Sequence, residues 1–209
     1  YDSLCLIKGD MIMWTRELFG SDVYHLIAAF IIYSVLGWFV ESAYMSFCNH
    51  RLTNRGFAKG PFCPIYGFGA VIGYLVLNPL SGHYVTLYLT GAFLATTFEY
   101  LVGIMMQKLL GEVWWDYTEK PMNYKGIICL ESTIAWGFYA IIITMFLHER
   151  VLHLIDAMDM AYGRILCIVI LAIVTVDYLI RLYLLFKTSI QEEKDRLIDK
   201  YHSFRARWY

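Results

Sequence analysis

The sequence predicts an all-α integral membrane protein with five transmembrane helices, its N-terminus outside and its C-terminus in the cytoplasm. Hydrophobic residues make up 59% of the 209 residues, which is more than a soluble domain of this size can bury in one core. Apolar stretches recur at roughly the 17–25 residues that a helix needs to cross a bilayer. Basic residues concentrate in alternate connections between those stretches, which sets the orientation.

The five predicted spans are about Val23–Phe47, Pro61–Leu77, Tyr84–Leu110, Ile127–Leu147 and Arg164–Phe186. The second barely reaches the required length, and the third exceeds it. Charged residues interrupt every apolar run in residues 1–22, so we expect an outside or interfacial helix there. No flexible linker divides the chain, and we therefore expect residues 1–209 to form a single membrane domain with its five spans within residues 23–186.

The orientation depends on the distribution of lysine and arginine. Twelve basic residues fall on one side of the predicted membrane, and only Lys8, Arg16, Arg150 and Arg164 fall on the other. Because cytoplasmic connections carry the excess of basic residues, the loops before the second and fourth spans are predicted to be cytoplasmic. The tail, residues 187–209, is on the same side. Its apolar residues recur at helical spacing, which predicts an amphipathic helix that either lies on the inner leaflet or extends the fifth span.

Away from the ends of the predicted spans, five ionisable residues lie inside them: Glu41, Glu99, Glu131, Asp177 and Arg181. Each costs roughly 2.5–3.5 kcal/mol to insert and therefore needs a reason to be there. At about 1.5 Å per residue, all five lie in the cytoplasmic half of the membrane or near its midplane. One interpretation is a shared polar cavity that opens to the cytoplasm. The other is that Glu41 and Glu131 reach the headgroups while Asp177 pairs with Arg181, one turn away.

A short internal similarity predicts a parallel repeat of two helical hairpins. Glu41 precedes a loop and then Gly60-Pro61-Phe62-Cys63, and Glu99 precedes a loop and then Gly126-Ile127-Ile128-Cys129. Two hairpins in the same orientation would be related by an axis along the membrane normal, with a site between them.

The two loops supply the remaining candidate residues. Asn54, Arg55 and Tyr66 belong to the first loop and the start of the second span, where they would suit acid–base or phosphate chemistry. Trp115, Asp116 and Tyr117 belong to the second loop. They are either an anchor in the aromatic belt of the membrane or a lid that binds a cation or an aromatic ligand.

Several of these motifs together resemble the CmpB-type family of putative ABC-transporter permeases. They are Gly37-Trp38-x-x-Glu41, Asn54-Arg55-Gly56-x-x-x-Gly60-Pro61-x-Cys63-Pro64-Ile65-Tyr66-Gly67, Trp115-Asp116-Tyr117, Pro121-x-Asn123-x-x-Gly126-x-Ile128-Cys129-Leu130 and Trp136-Gly137. The resemblance covers about residues 30–140 and implies a multipass protein of the bacterial cell membrane with a transport role. Asp177, Arg181 and the tail lie outside it.

Three functions remain open on the sequence. The first is a permease subunit for a small polar or cationic solute, driven by a separate ATPase and requiring a homodimer because five spans form a small pathway. The second is a membrane-embedded enzyme that acts on a lipid headgroup at the inner leaflet. The third is a non-catalytic scaffold. We expect neither a cofactor nor a bound metal, because the histidines and cysteines are scattered, and no nucleic-acid partner.

Overall fold

The computed structural model describes residues 14–18, 20–111 and 114–208. Helices account for 76% of the residues, which confirms the all-helical class. The helices are α1 (Val23–Asn49), α2 (Pro64–Leu77), α3 (Tyr84–Leu110), α4 (Leu130–Ile142), α5 (His148–Asp156) and α6 (Met160–Trp208). A π-helical turn, Ile143–Leu147, joins α4 to α5, and a short 3₁₀ turn, Asn78–Leu80, follows α2.

In the part of the chain that the structure describes, four stretches are long and apolar enough to cross a membrane: Val23–Asn49, Tyr84–Leu109, Leu130–Asp156 and Met160–Ser203. The third of these joins α4, the π-helical turn and α5, so it runs beyond the predicted end at Leu147. The second predicted span is shorter than the others and covers only Pro64–Leu80 with its 3₁₀ turn. A count of five spans therefore remains a prediction.

The helix ends follow from local chemistry. Asp22 caps α1, since its Oδ1 accepts the backbone N–H of His25 at 2.9 Å. Pro64 begins α2 in the first turn, where its missing N–H costs nothing. Cys129 caps α4 in a capping box, in which its Sγ accepts the Ser132 N–H and the Ser132 Oγ accepts the Cys129 N–H.

Four two-residue strands form two small antiparallel pairs. Asn123–Tyr124 pairs with Ile128–Cys129 in the second loop. Glu17–Leu18 pairs with Ser21–Asp22, so the described part of segment 1–22 next to α1 is a β-hairpin and not the expected helix. Residues 1–13 of that predicted helix lie outside the described residues.

The helices pack as two hairpins around a core that centres on α1. Helix α1 packs against α2, and α3 packs against α4. Small residues of α1, Ala28 and Ala29, are buried with Ala70 of α2, Val151 of α5 and Cys167 of α6. Outward-facing apolar side chains such as Phe93 and Ile173 are more than 60% exposed, as expected for a surface that meets lipid.

Hydrogen bonds hold both loops that carry the sequence motifs at one end of the bundle. The first loop connects α1 to α2, and the second connects α3 to α4. The Arg55 Nη2 donates to the Trp114 carbonyl oxygen of the second loop at 2.7 Å, and the Gly60 N–H donates to Asp177 of α6 at 2.8 Å. The opposite end is joined by His25 of α1, whose Nε2 lies 2.9 Å from the Asp156 Oδ1 at the end of α5. Which end faces the cytoplasm remains a prediction.

Helix α6 continues without a break from Met160 to Trp208. Its 49 residues extend for roughly 73 Å, more than twice the thickness of the hydrocarbon core. Of the two arrangements expected for the tail, the structure therefore has the one in which the tail extends the last predicted span.

Candidate functional site

Glu41 of α1 is at the centre of the first of two acid clusters. Its Oε1 accepts the Nε and Nη2 of Arg55, both at 3.0 Å, and its Oε2 accepts the hydroxyl of Tyr66. The side chains of Glu41 and Arg55 are 25% and 23% exposed, so this ion pair is largely shielded from solvent. A charge-assisted contact of this kind is about twice as strong as one between neutral groups. We call Glu41, Arg55 and Tyr66 the first acid cluster.

The first cluster depends on a close approach of α1 and α2. A Cβ on Gly37 of α1 would collide with the ring of Tyr66, so only glycine allows the tyrosine to lie against α1 one turn before Glu41. Asn54 does not contact Glu41. Its Oδ1 accepts the Trp38 Nε1 at 2.6 Å and the Gly56 N–H at 2.8 Å, so it shapes the loop that carries Arg55.

Glu99 of α3 is at the centre of the second acid cluster. Its Oε1 accepts the Tyr117 hydroxyl at 3.0 Å, and its Oε2 accepts the Trp136 Nε1 at 2.9 Å and the Ser132 hydroxyl at 3.3 Å. Glu99 is 4% exposed, which makes it the most buried acidic residue in the described part of the chain. We call Glu99, Tyr117, Ser132 and Trp136 the second acid cluster.

The second loop holds Tyr117 over Glu99. The Tyr117 N–H donates to the Gly126 carbonyl oxygen at 2.8 Å, and the Trp115 Nε1 donates to the Ile127 carbonyl oxygen at 2.8 Å. Gly126 has a φ of 68°, which favours glycine at this position. Burial raises the pKa of Tyr117 above its ordinary value, and the Glu99 carboxyl raises it further. The tyrosine therefore stays a neutral hydrogen-bond donor or acceptor beside Glu99.

Asp116 precedes Tyr117 in the second loop, and its hydrogen bonds are to Thr118. Its Oδ1 accepts the Thr118 hydroxyl and the Thr118 backbone N–H, and these two bonds lower the pKa of the exposed carboxyl. Asp116 and Trp115 therefore stabilise the loop, whereas Tyr117 reaches the acid.

The two clusters adjoin each other. The rings of Tyr66 in the first cluster and Trp136 in the second have centroids 6.3 Å apart. The two acids that they bind, Glu41 and Glu99, are thus brought together by the contact between the two hairpins. Of the five ionisable residues expected inside the membrane, these two are the pair that the structure places in one polar region.

The clusters have corresponding parts. Each has an acid on the first helix of a hairpin and a donor from the loop that follows, which is Arg55 in one and Tyr117 in the other. Each has a further donor in the first turn of the second helix, Tyr66 or Ser132, three residues after a buried cysteine that precedes that helix. The correspondence supports the predicted repeat of two hairpins, which itself remains a prediction.

The other three ionisable residues lie apart from these clusters. Glu131 is 62% exposed on its side chain and accepts the Lys120 Nζ at 2.8 Å, a contact that raises the pKa of Lys120. Asp177 accepts the Gly60 N–H, and the Arg181 guanidinium lies 5.8 Å from the ring centroid of Phe57. Among the ion pairs of the described residues there is none between Asp177 and Arg181.

Two residues that donate to Glu99, Ser132 and Trp136, were not predicted as site residues from the sequence. Both follow the second loop, and their distance from Glu99 depends on the length and shape of that loop. Two features of the sequence could have indicated these residues. The Cys129-x-x-Ser132 spacing is typical of a helix cap, and the indole N–H of Trp136 lies in an apolar stretch, where a buried N–H needs an acceptor. No group of three or more metal-binding side chains occurs within residues 14–18, 20–111 and 114–208.

A protein-family model described as "Putative ABC-transporter type IV" (ABC_trans_CmpB) matches residues 28–182, which is more than half of the chain. The matched region contains both acid clusters, both loops and the first part of α6. It also includes Asp177 and Arg181, so the expectation that these two residues lie outside the family resemblance was wrong. No curated protein and no solved structure matches the chain.

Proposed function

We propose that this chain, which belongs to the CmpB family of ABC-transporter type IV proteins, is the membrane permease subunit of a transporter for a small cationic solute. In this proposal, the two acid clusters form the polar site of the pathway, and the site opens toward the cytoplasm. Four apolar helices of sufficient length support a multipass arrangement in the membrane. The excess of basic residues in the two loops and the tail supports the cytoplasmic placement.

The observation that carries the proposal is the buried carboxyl of Glu99, which has three neutral donors and no basic partner. Within the described residues Glu99 forms no ion pair, whereas the neighbouring Glu41 is paired with Arg55. A buried carboxylate without a counter-charge is costly, and a cation that entered the site would remove that cost. A solute with one positive group therefore suits the second acid cluster.

The contacts of Arg55 weigh against the enzyme that would act on a lipid headgroup. In such an enzyme Arg55 would hold the phosphate, which requires N–H groups that are free to donate to it. The Nε and Nη2 of Arg55 are already engaged, both by Glu41 and the Nη2 also by the Trp114 carbonyl oxygen. This arrangement joins the two loops and leaves the Nε and Nη2 of Arg55 unavailable to a phosphate.

The partners in this proposal are the lipid bilayer, a separate ATPase subunit and a second copy of the chain. The family name supports the ATPase, since this class of transporter takes its energy from one. The loops that meet at Arg55 and Trp114 are the nearest surface of the bundle to a cytoplasmic ATPase if the predicted orientation holds. We propose a homodimer because the few spans of one copy would enclose only a narrow pathway for the solute.

The experiment measures the melting temperature of the purified protein in detergent with pairs of charged and uncharged compounds of the same shape. The probes are choline against its uncharged carbon isostere, and guanidinium against urea, at low concentration and constant ionic strength. We expect the charged member of at least one pair to raise the melting temperature. The Glu99→Gln variant should lose this response, and Glu131→Gln, which changes an exposed acid, should keep it.

A scaffold would give a different result. If neither charged probe stabilises the wild-type protein beyond its uncharged isostere, or if Glu99→Gln responds as the wild type does, the second acid cluster does not bind cations and the permease proposal loses its support.

A further inference from the structure

The two acid clusters have the same number of donors but a different net charge. Glu41 accepts three hydrogen bonds, two of them from the Arg55 guanidinium, so the first cluster is neutral when Glu41 is ionised. Glu99 also accepts three hydrogen bonds, but all come from neutral groups. The position that corresponds to Arg55 is occupied by Tyr117. The second cluster is therefore short of one positive charge whenever Glu99 is ionised.

The surroundings of Glu99 do not supply that charge. The groups that face it are Tyr117 from the second loop and Ser132 and Trp136 from α4, all of them neutral. The first acid cluster adjoins this site through the contact between the Tyr66 and Trp136 rings. Its one cationic group, Arg55, is already ion-paired with Glu41 and is not free to pair with Glu99. Lys120 of the second loop is likewise paired, with Glu131 at the start of α4.

The hydrogen-bond geometry allows Glu99 to carry a proton on one oxygen. The Trp136 Nε1 is only a donor, so the Oε2 must remain an acceptor. The Oε1 has one partner, the Tyr117 hydroxyl at 3.0 Å, and this hydroxyl can donate or accept. A proton on the Oε1 can therefore be donated to the Tyr117 oxygen, and rotation of the same hydroxyl restores the contact when the proton leaves.

We propose that the second acid cluster exchanges one proton for one cationic group, with Glu99 protonated when the site is empty and ionised when a cation is bound. This inference rests on the proposed function and adds the coupling and the ligand class to it. An ammonium or guanidinium group approaches the Oε1, the Oε1–H bond breaks, and the proton passes to water or buffer. One positive charge enters and one leaves, so the cluster remains neutral throughout.

The test measures protonation directly, by infrared difference spectroscopy of the purified protein between about pH 5 and about pH 8. A buried protonated carboxyl gives its own carbonyl stretching band. We expect this band in the wild type and in Glu131→Gln, which changes an exposed acid outside both clusters, and we expect it to be absent in Glu99→Gln. Addition of guanidinium or choline should reduce the band in the wild type, whereas urea should leave it unchanged.

Calorimetric titration of the same probe in two buffers with different ionisation enthalpies should show release of about one proton for each cation bound. The Glu99→Gln variant should bind the probe at least about tenfold more weakly.

Two outcomes would overturn the exchange. The first is a wild-type spectrum with no band that depends on Glu99 at any of these pH values. The second is a Glu99 band that persists when the probe is bound. In either case, cation-dependent stabilisation in the melting experiment would leave the permease proposal standing, so the two failures can be told apart.

Discussion

Single residues decide the different characters of the two acid clusters. Arg55 and Tyr117 both come from a loop and both donate to the acid of the preceding helix. The guanidinium gives one cluster a fixed internal ion pair, whereas the phenol gives the other a neutral partner that can donate or accept. In the same arrangement, Glu41 is therefore held in an ion pair, whereas Glu99 has no cationic partner among the described residues. In our proposal, Glu99 binds a proton or a cation.

The first prediction concerns Glu41 and its ion pair with Arg55. Arg55→Ala should lower the free energy of unfolding by about 1.5–3 kcal/mol, the range for a hydrogen bond to a charged group, because it leaves Glu41 shielded from water without a counter-charge. In a Glu41→Gln background the same substitution should cost markedly less, since no charge is left unpaired. Melting experiments on the four proteins measure the difference. Equal costs in both backgrounds would show that the pair is not coupled.

The exposed ion pair between Lys120 and Glu131 serves as the control. Lys120→Ala should change stability by less than about 0.5 kcal/mol, because both partners are well exposed and a surface ion pair contributes little.

At the scale of helices, the close approach of α1 and α2 is the feature on which the first cluster depends. Gly37 leaves the space that the Tyr66 ring occupies, and Gly103 of α3 leaves comparable space for Ile127 of the second loop. Small residues at such crossings are typical of helices packed in membranes, where van der Waals contact replaces the hydrophobic effect as the driving force.

The second prediction tests this packing. Gly37→Ala should destabilise the protein by about 1–3 kcal/mol. The reason is that its new methyl group would collide with the Tyr66 side chain, which packs against α1 at this position. Gly73→Ala on α2 is the matched control, since a Cβ there meets no atom within 4 Å. That variant should be neutral or slightly stabilising, as alanine is the better helix former. Equal melting temperatures for the two variants would contradict the described packing.

The sequence predicted the helices well where apolar length alone decides them. Helices α1 and α3 begin at the predicted residues, Val23 and Tyr84, because polar residues break the apolar run directly before each start. The sequence could not decide whether the tail lies on the inner leaflet or continues α6, since an amphipathic stretch is helical in both arrangements. The continuation of α4 through a π-helical turn into α5 was missed because charged residues follow Leu147.

The candidate site was predictable in part for a similar reason. Depth in the predicted membrane singled out Glu41 and Glu99, because an acid buried there needs partners, and the structure gives both acids hydrogen-bond donors. That the two acids form a binding site stays a prediction. Depth could not distinguish them from Asp177, whose partner is a backbone N–H contributed by the first loop. The ion pair of Arg55 depends on how that loop folds back, which neither composition nor spacing specifies.

At the scale of the whole molecule, the contacts divide the bundle into two ends. One end holds both motif-bearing loops, and the other holds the His25–Asp156 contact between α1 and α5. The proposal of a site that opens to the cytoplasm requires that the first of these ends face inward. The excess of basic residues at that end favours this orientation.

The third prediction tests the orientation with single cysteines in a background that lacks the native thiols. Ser203→Cys on α6 should be protected from a membrane-impermeant thiol reagent in intact cells, and Ser81→Cys beyond α2 should react. Both should react after the membrane is made permeable, which controls for burial. The reverse pattern in intact cells would place the acid clusters on the outer side and would exclude a site that opens to the cytoplasm.

The central claim is that the second acid cluster lacks one positive charge and takes it from a ligand. It is tested most directly by placing an arginine where the first cluster has one, through Tyr117→Arg. An internal guanidinium should then pair with Glu99, so we expect a higher melting temperature without ligand and no further stabilisation by guanidinium or choline. Glu119→Arg, at an exposed position of the same loop, is the control and should respond to the cations as the wild type does. A Tyr117→Arg protein that folds and still responds to the cations as the wild type does would contradict the claim.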